Sequence, residues 1–117
     1  MKNITIYHNP RCSKSRQTLQ LLRDNNVDPK IVEYLKTPLQ KDELKKISGM
    51  LQLRPKDFIR KNENDFKENS LSKVINDDEK IIEAMATYPK IIERPIVATG
   101  TIAVMGRPPE NALKILK

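Results

Sequence analysis

Residues 3–35 read NITIYHNPRCSKSRQTLQLLRDNNVDPKIVEYL, and the order of patterns in that stretch decides the fold. NITIYH is short, β-branched and aromatic and runs into the turn dipeptide Asn9-Pro10, so it predicts a strand leading into a loop. Beyond the loop, Ser15, Thr18, Leu19 and Leu22 recur at helical spacing. Lys14, Gln17, Gln20, Arg23 and Asp24 are left for solvent, so an amphipathic helix follows. NNVDP ends that helix, and KIVEYL predicts a second strand. A strand, a helix and a strand within this length require a right-handed crossover that lays the two strands parallel.

Working outward, Thr37-Pro38 predicts a helix start with Gln40 at the capping-box position and Leu44, Ile47 and Leu51 as the buried stripe. RPKDFIRKN reads as a short helical or irregular connection, and ENDFKENSLSKV as a polar surface segment. Asn76 with Glu79 marks another helix start, whose inner face is Ile81, Ile82, Met85 and Tyr88 until Pro89 stops it. RPIVATGTIAVMG holds two short apolar runs around Thr99-Gly100 and predicts a β-hairpin. Pro108-Pro109 then opens a last helix with Ala112, Leu113 and Leu116 on one side. The order is βαβ, a helical middle, then ββα, with no repeat, low-complexity tract or linker. We therefore expect one domain over residues 1–117, of α/β class: a small mixed sheet with flanking helices and a helical insertion. The thioredoxin-like architecture is the familiar fold with that order.

Composition narrows the function classes. With 117 residues, 38% of them hydrophobic and 32% charged, the chain has the content of an ordinary globular protein rather than a disordered one. No apolar run approaches the roughly 20 residues of a membrane span, and the N-terminal apolar stretch is too short for a signal peptide, so the expected location is cytoplasmic. A single cysteine closes no internal disulfide, so any sulfur partner must come from another molecule. The net charge of +7 favours anionic partners. Nucleic acid is disfavoured, because acids interleave the basic residues and Tyr7, Tyr34, Phe58, Phe66 and Tyr88 lie too far apart to form a stacking platform. No heptad seam or spare apolar helix face is visible, and a monomer is the default expectation.

The chain's only cysteine and only histidine both fall in HNPRCSKSRQT, residues 8–18. A bare cysteine is most often a small buried hydrophobe. The neighbours of Cys12, however, are Asn, Pro, Arg, Ser and Lys, which do not build a core. A cysteine just before a helix meets N–H groups that lack intrahelical partners and the positive end of the helix dipole, and both favour the thiolate. Arg11, Lys14 and Arg16 add positive charge, and the Ser15 hydroxyl is placed to donate to the sulfur. The same helix start can hold an oxyanion. Cys12 and Arg16 form C-x3-R rather than the C-x5-R of cysteine phosphatases, where Thr18 would have to be arginine. CSKS lacks the second cysteine of a C-x-x-C dithiol, which leaves monothiol chemistry. His8 either tunes the thiol or caps the strand end as a structural histidine; both readings stay open. Arg60, Arg94 and Arg107 each sit at an element boundary, from which a guanidinium can reach a shared site, although each taken singly reads as a surface cation. One His and one Cys make no metal site.

At these residues the chain resembles a known family, the glutaredoxin-dependent arsenate reductases of ArsC type within the thioredoxin-like superfamily. YHNPRCSKSRQTL is similar to that family's active-site segment, and DFIRKN, IIERPIVAT and GRPPENAL are similar to its later motifs, in order and at matching spacing over essentially the whole chain. The resemblance implies that Cys12 is the nucleophile, that Arg60, Arg94 and Arg107 bind the oxyanion, that His8 and Ser15 flank the cysteine, and that Pro95 is the cis proline beside the loop. The chain departs from the best-known members in CSKS, where they carry Gly-Thr after the cysteine, and in the hairpin VATGTIAVMG.

The function so implied is cytosolic reduction of arsenate, or a similar oxyanion, to arsenite by one thiolate, with glutathione as reductant, glutaredoxin as partner and no bound cofactor. Two alternatives belong to other classes. One is a regulator resembling Spx, which shares the fold and the RPI segment but binds RNA polymerase; that family commonly carries C-x-x-C and lacks the match at Arg107. The other is a glutathione-dependent thiol reductase without arsenate activity.

Overall fold

The structure is a computed structural model and describes residues 3–116. The chain forms two compact units, one running to Thr37 and resuming at Arg94, the other spanning Pro38–Glu93. In the first, strand β1 (Thr5–Tyr7), helix α1 (Ser13–Asp24) and strand β2 (Lys30–Val32) make the expected parallel crossover, and β3 (Ile96–Ala98) and β4 (Ala103–Met105) make the expected antiparallel hairpin. β3 also pairs antiparallel with β1, so the four strands form one mixed sheet in the order β2-β1-β3-β4. This is the mixed thioredoxin-like sheet expected from the element order.

The residues of α1 that are buried are Ser15, Thr18, Leu19 and Leu22, the stripe read from their spacing. Leu19 and Leu22 pack with Ile4, Ile6, Val97, Ala112 and Ile115 into one apolar cluster. β3 is buried along its whole length, as befits a strand with neighbours on both edges.

The C-terminal segment corrects the reading of its helix. Pro109–Leu116 is a 3-10 helix, and its buried residues are Pro109, Ala112 and Ile115. Three residues per turn place every third side chain on one face, so Ile115 goes inward while Leu113 and Leu116 are only half-buried. β2 also ends sooner than KIVEYL implied. After Val32 the backbone turns, with the Lys36 and Thr37 N–H groups donating to the Glu33 carbonyl, and Tyr34 is buried.

Within the second unit, helix α2 (Lys41–Leu51) starts three residues beyond Thr37-Pro38. Gln40 is its N-cap and makes no side-chain cap bond; Asp42 and Glu43 supply the negative charge that a first turn favours, while Leu39 is buried ahead of the helix. Residues 63–74 are more than a surface segment. Helix α3 (Asn64–Glu68) and a 3-10 turn at Leu71–Val74 bury Phe66 and Leu71. Helix α4 (Asp78–Thr87) is capped by Asp77 rather than Asn76, with the Lys80 N–H donating to Asp77 Oδ1 at 3.2 Å. Ile81, Ile82 and Met85 are buried as expected, and Tyr88 is half-buried. No helix among the described residues is long and apolar enough to cross a membrane.

The 3-10 assignment makes a discriminating prediction. Ile115→Ala should cost about 2–5 kcal/mol of folding stability in urea unfolding, the usual range for emptying a buried aliphatic site. Leu116→Ala should cost clearly less; an α-helical face through Ala112, Leu113 and Leu116 would reverse that order.

Candidate active site

The loop between β1 and α1 is a turn built by its own residues. The Cys12 N–H donates to the Asn9 carbonyl at 3.0 Å across Pro10 and Arg11, and the Arg11 N–H donates to Asn9 Oδ1 at 3.0 Å. Asn at the first position and Pro at the second are what such a turn prefers. The turn leaves Cys12 at the N-cap of α1 in an extended conformation (φ −91°, ψ 122°).

Side chains under the loop hold it in place. Ser15 is fully buried; its Oγ accepts the Asn9 N–H at 3.1 Å and shares a 2.7 Å hydrogen bond with His8 Nδ1. The hydroxyl that the sequence offered to the sulfur is thus engaged by the strand end. What Ser15 turns toward the sulfur is its backbone N–H. Burial pushes the His8 pKa below its ordinary value; Glu33 opposes this, and Arg23 and Arg16 reinforce it. The imidazole is therefore neutral at pH 7 and anchors the loop without lending the thiol a charge. Arg16 donates from Nη1 to the Pro10 carbonyl at 3.0 Å, across the same turn.

Two opposing effects set the acidity of Cys12. Partial burial is the largest single influence and raises its pKa, but the Ser15 N–H, the Arg94 guanidinium through both hydrogen bonding and charge, and the Lys14 N–H together outweigh it. The net pKa lies below the ordinary thiol value. Cys12 makes no side-chain capping bond, so the backbone groups favour the thiolate chiefly as aligned dipoles at the helix start. Arg107 Nη1 stands 3.9 Å from Sγ and donates to the Arg94 carbonyl at 3.2 Å. Being exposed and at the long end of sulfur contact, it alters the acidity less than Arg94 does.

The hairpin explains why residues 94 and 107 meet. Ile96 pairs with Met105, so one step outward sets Pro95 against Gly106, where the Gly106 N–H donates to the Pro95 carbonyl at 2.9 Å. One step further sets Arg94 beside Arg107. The pairing of Tyr7 with Ile96 likewise brings His8 level with Pro95 and the thiol loop to the same end of the sheet. The Arg94–Pro95 peptide bond is cis, as is Arg107–Pro108, which the sequence did not single out. Arg60 belongs to the other unit, where its Nη1 donates to Glu93 Oε1 at 2.9 Å and its Nε lies 3.6 Å from Glu63 Oε2.

Charge is divided unevenly between the units. The one that holds Cys12 has eleven Lys and Arg against four Asp and Glu, while residues 38–93 have eleven of each, so the whole excess of +7 accompanies the thiol. Among the described residues no group of three or more His, Cys, Asp or Glu side chains gathers as a metal site would require.

A family model described as the ArsC family matches residues 7–115. The chain belongs to the ArsC family. The Escherichia coli (strain K12) protein named "Uncharacterized protein YfgD" is 46% identical to this ArsC-family chain over 98% of each. The arsenate reductase of the same strain is 40% identical over 99% of this chain and 82% of its own length. The solved structure of an arsenate reductase from Vibrio cholerae superimposes with a TM-score of 0.93 at 42% identity, covering 97% of this chain and 98% of that one. The family and the thioredoxin-like fold expected from the motifs are thereby established.

Sequence reasoning missed several residues that build the ArsC-family site. Asn9 stands in the sequence only as part of a turn signal, yet its side chain and carbonyl shape the turn, and Asn before Pro ahead of a helix is the available cue. Helical spacing places Thr18 on the buried stripe, but its contact with Gly106 gives no local signal, because it joins residues 88 positions apart.

Two measurements test this geometry. The pH midpoint of Cys12 alkylation should fall below the ordinary thiol value of about 8.5 and rise in Arg94→Gln, with a smaller rise in Arg107→Gln; equal midpoints would remove Arg94 from the thiolate. For His8 the unfolded chain takes up the proton first as pH falls. Its contribution to stability is therefore complete above about pH 6.5 and is lost as pH drops through the lowered native value. Urea midpoints at pH 7 and pH 5 should differ more for the wild type than for His8→Gln.

Proposed function

We propose that this chain is an oxidoreductase that reduces arsenate to arsenite in the cytoplasm, as a monomer, with glutathione as reductant and glutaredoxin as partner. One observation carries the reading: a half-buried sulfur of lowered pKa at the N-cap of α1, with the guanidinium groups of Arg94 and Arg107 at its side, in a chain of the ArsC family. A sulfur so placed can be ionised near neutral pH while the surrounding cations offset the repulsion of an incoming anion.

In the proposed sequence Cys12 Sγ attacks arsenic, forming an S–As bond while one arsenate oxygen leaves as water. Arg94 and Arg107 neutralise the remaining oxygens, and Arg60 serves as the third cation by its place in DFIRKN. The glutathione sulfur then attacks Cys12 Sγ. A disulfide forms as the S–As bond breaks, and the bonding pair stays on arsenic, so As(V) becomes As(III) and two thiols supply the two electrons. Glutaredoxin takes the glutathionyl group by thiol exchange, restoring Cys12, and arsenite leaves. With one cysteine in the chain, the second sulfur has to be supplied externally.

The test follows arsenite formation with glutathione and glutaredoxin. Wild type should turn over, Cys12→Ser should show no activity above background, and Arg94→Gln should lose about 10²–10³-fold, the scale of removing one donor from a developing oxyanion. No arsenite from the wild type would overturn the assignment, and turnover surviving Cys12→Ser would overturn the mechanism.

A further inference from the structure

We propose that Thr18 is a positioning residue for Arg107, and that its hydroxyl keeps the guanidinium beside the sulfur. The inference rests on the proposed function only in taking Cys12 as the reacting atom. Thr18 is fully buried on the inner face of α1, six residues beyond the cysteine. Its Oγ1 donates its single proton in a forked bond, to the Lys14 carbonyl at 2.8 Å within the helix and to the Gly106 carbonyl at 3.2 Å at the end of β4. The second contact ties the helix that carries Cys12 at its start to the residue immediately before Arg107.

The fit around Gly106 is close. A Cβ built there would lie 2.6 Å from Thr18 Oγ1, 2.9 Å from Thr18 Cγ2 and 2.8 Å from Pro95 Cγ, so any larger residue would push the backbone off both. Gly106 is also bonded to Pro95 through its N–H at 2.9 Å. The backbone leading into Arg107 is thus held on one side by the residue after Arg94 and on the other by Thr18. From that seat Arg107 Nη1 reaches the Arg94 carbonyl and Cys12 Sγ. Removing the Thr18 hydroxyl leaves the Gly106 carbonyl buried without that donor, and the strand end relaxes away from α1, carrying the guanidinium off the sulfur.

The experiment reads positive charge at the sulfur without using arsenate. Cys12 is alkylated with the anionic reagent iodoacetate and the neutral reagent iodoacetamide, and the ratio of the two rates is taken for each variant. One unit charge near 4 Å in a water-like surrounding is worth about fivefold in that ratio. Arg107→Gln should lower it by about that factor. Thr18→Val, which keeps the shape and loses the hydroxyl, should lower it to the same level. Thr18→Ser should retain the wild-type ratio, and Thr18→Val combined with Arg107→Gln should fall no lower than Arg107→Gln alone. Gly106→Ala probes the same seat from the opposite side and should lower the ratio as well, which keeps the test open should Thr18→Val not fold. A Thr18→Val protein with a lowered melting temperature and an unchanged ratio would overturn the proposal, as would equal losses in Thr18→Ser and Thr18→Val. Neither reagent depends on arsenate turnover, so a chain that makes no arsenite would defeat the functional reading and leave this result to be judged by itself.

Discussion

The arrangement of this site depends on antiparallel strand register. β3 lies between β1 and β4, and its side chains are buried throughout, so its pairing is held by apolar packing rather than by the hairpin turn alone. Because strand side chains alternate between faces, a slip of one residue would turn the buried set of a strand to the opposite face, and burial therefore specifies register strongly. With Ile96 opposite Met105, Arg94 and Arg107 emerge side by side at one sheet end; with Tyr7 opposite Ile96, the loop carrying Cys12 emerges at that same end. No attraction between the arginines is needed to assemble them. The apolar core brings two like charges together at the end of the sheet where the sulfur lies.

The thiol itself is governed by a competition. Burial alone would make Cys12 a poor acid, and full exposure would leave its thiolate to be screened by water. Half-buried at a helix start, the sulfur meets the Ser15 and Lys14 N–H groups and the Arg94 guanidinium while still open to reagents. The side chains that give the loop its shape are spent on one another: Ser15 on His8 and Asn9, Arg16 on the Pro10 carbonyl. This is why neutral His8 is more useful here than a charged one would be. It can be buried against Ser15 without a counter-ion.

Much of the site was legible in one stretch of chain. The thiol, the turn before it and the amphipathic helix after it all depend on residues within a few positions of one another, and local sequence carries such information directly. The hairpin was legible for the same reason. The errors fell where a local signal competed with packing. Thr37 and Gln40 carry the letters of a capping box, but burial of Leu39 moved the helix start to Lys41. At the C-terminus an apolar pattern that suits an α-helix was wound as a 3-10 helix, which sends Ile115 inward in place of Leu116.

The sequence by itself determined the class of fold, the place of the single thiol before a helix and the sign of its surroundings, because periodicity, a lone cysteine and a count of charges require no knowledge of distant contacts. The tertiary structure alone decided which cations stand beside the sulfur, that Ser15 faces His8 with its hydroxyl and Cys12 with its N–H, and that Gly106 is locked between Thr18 and Pro95. Those facts join residues up to 95 positions apart. Distances of that kind are set by strand register and by the volume available in the core, and no local pattern of residues encodes either.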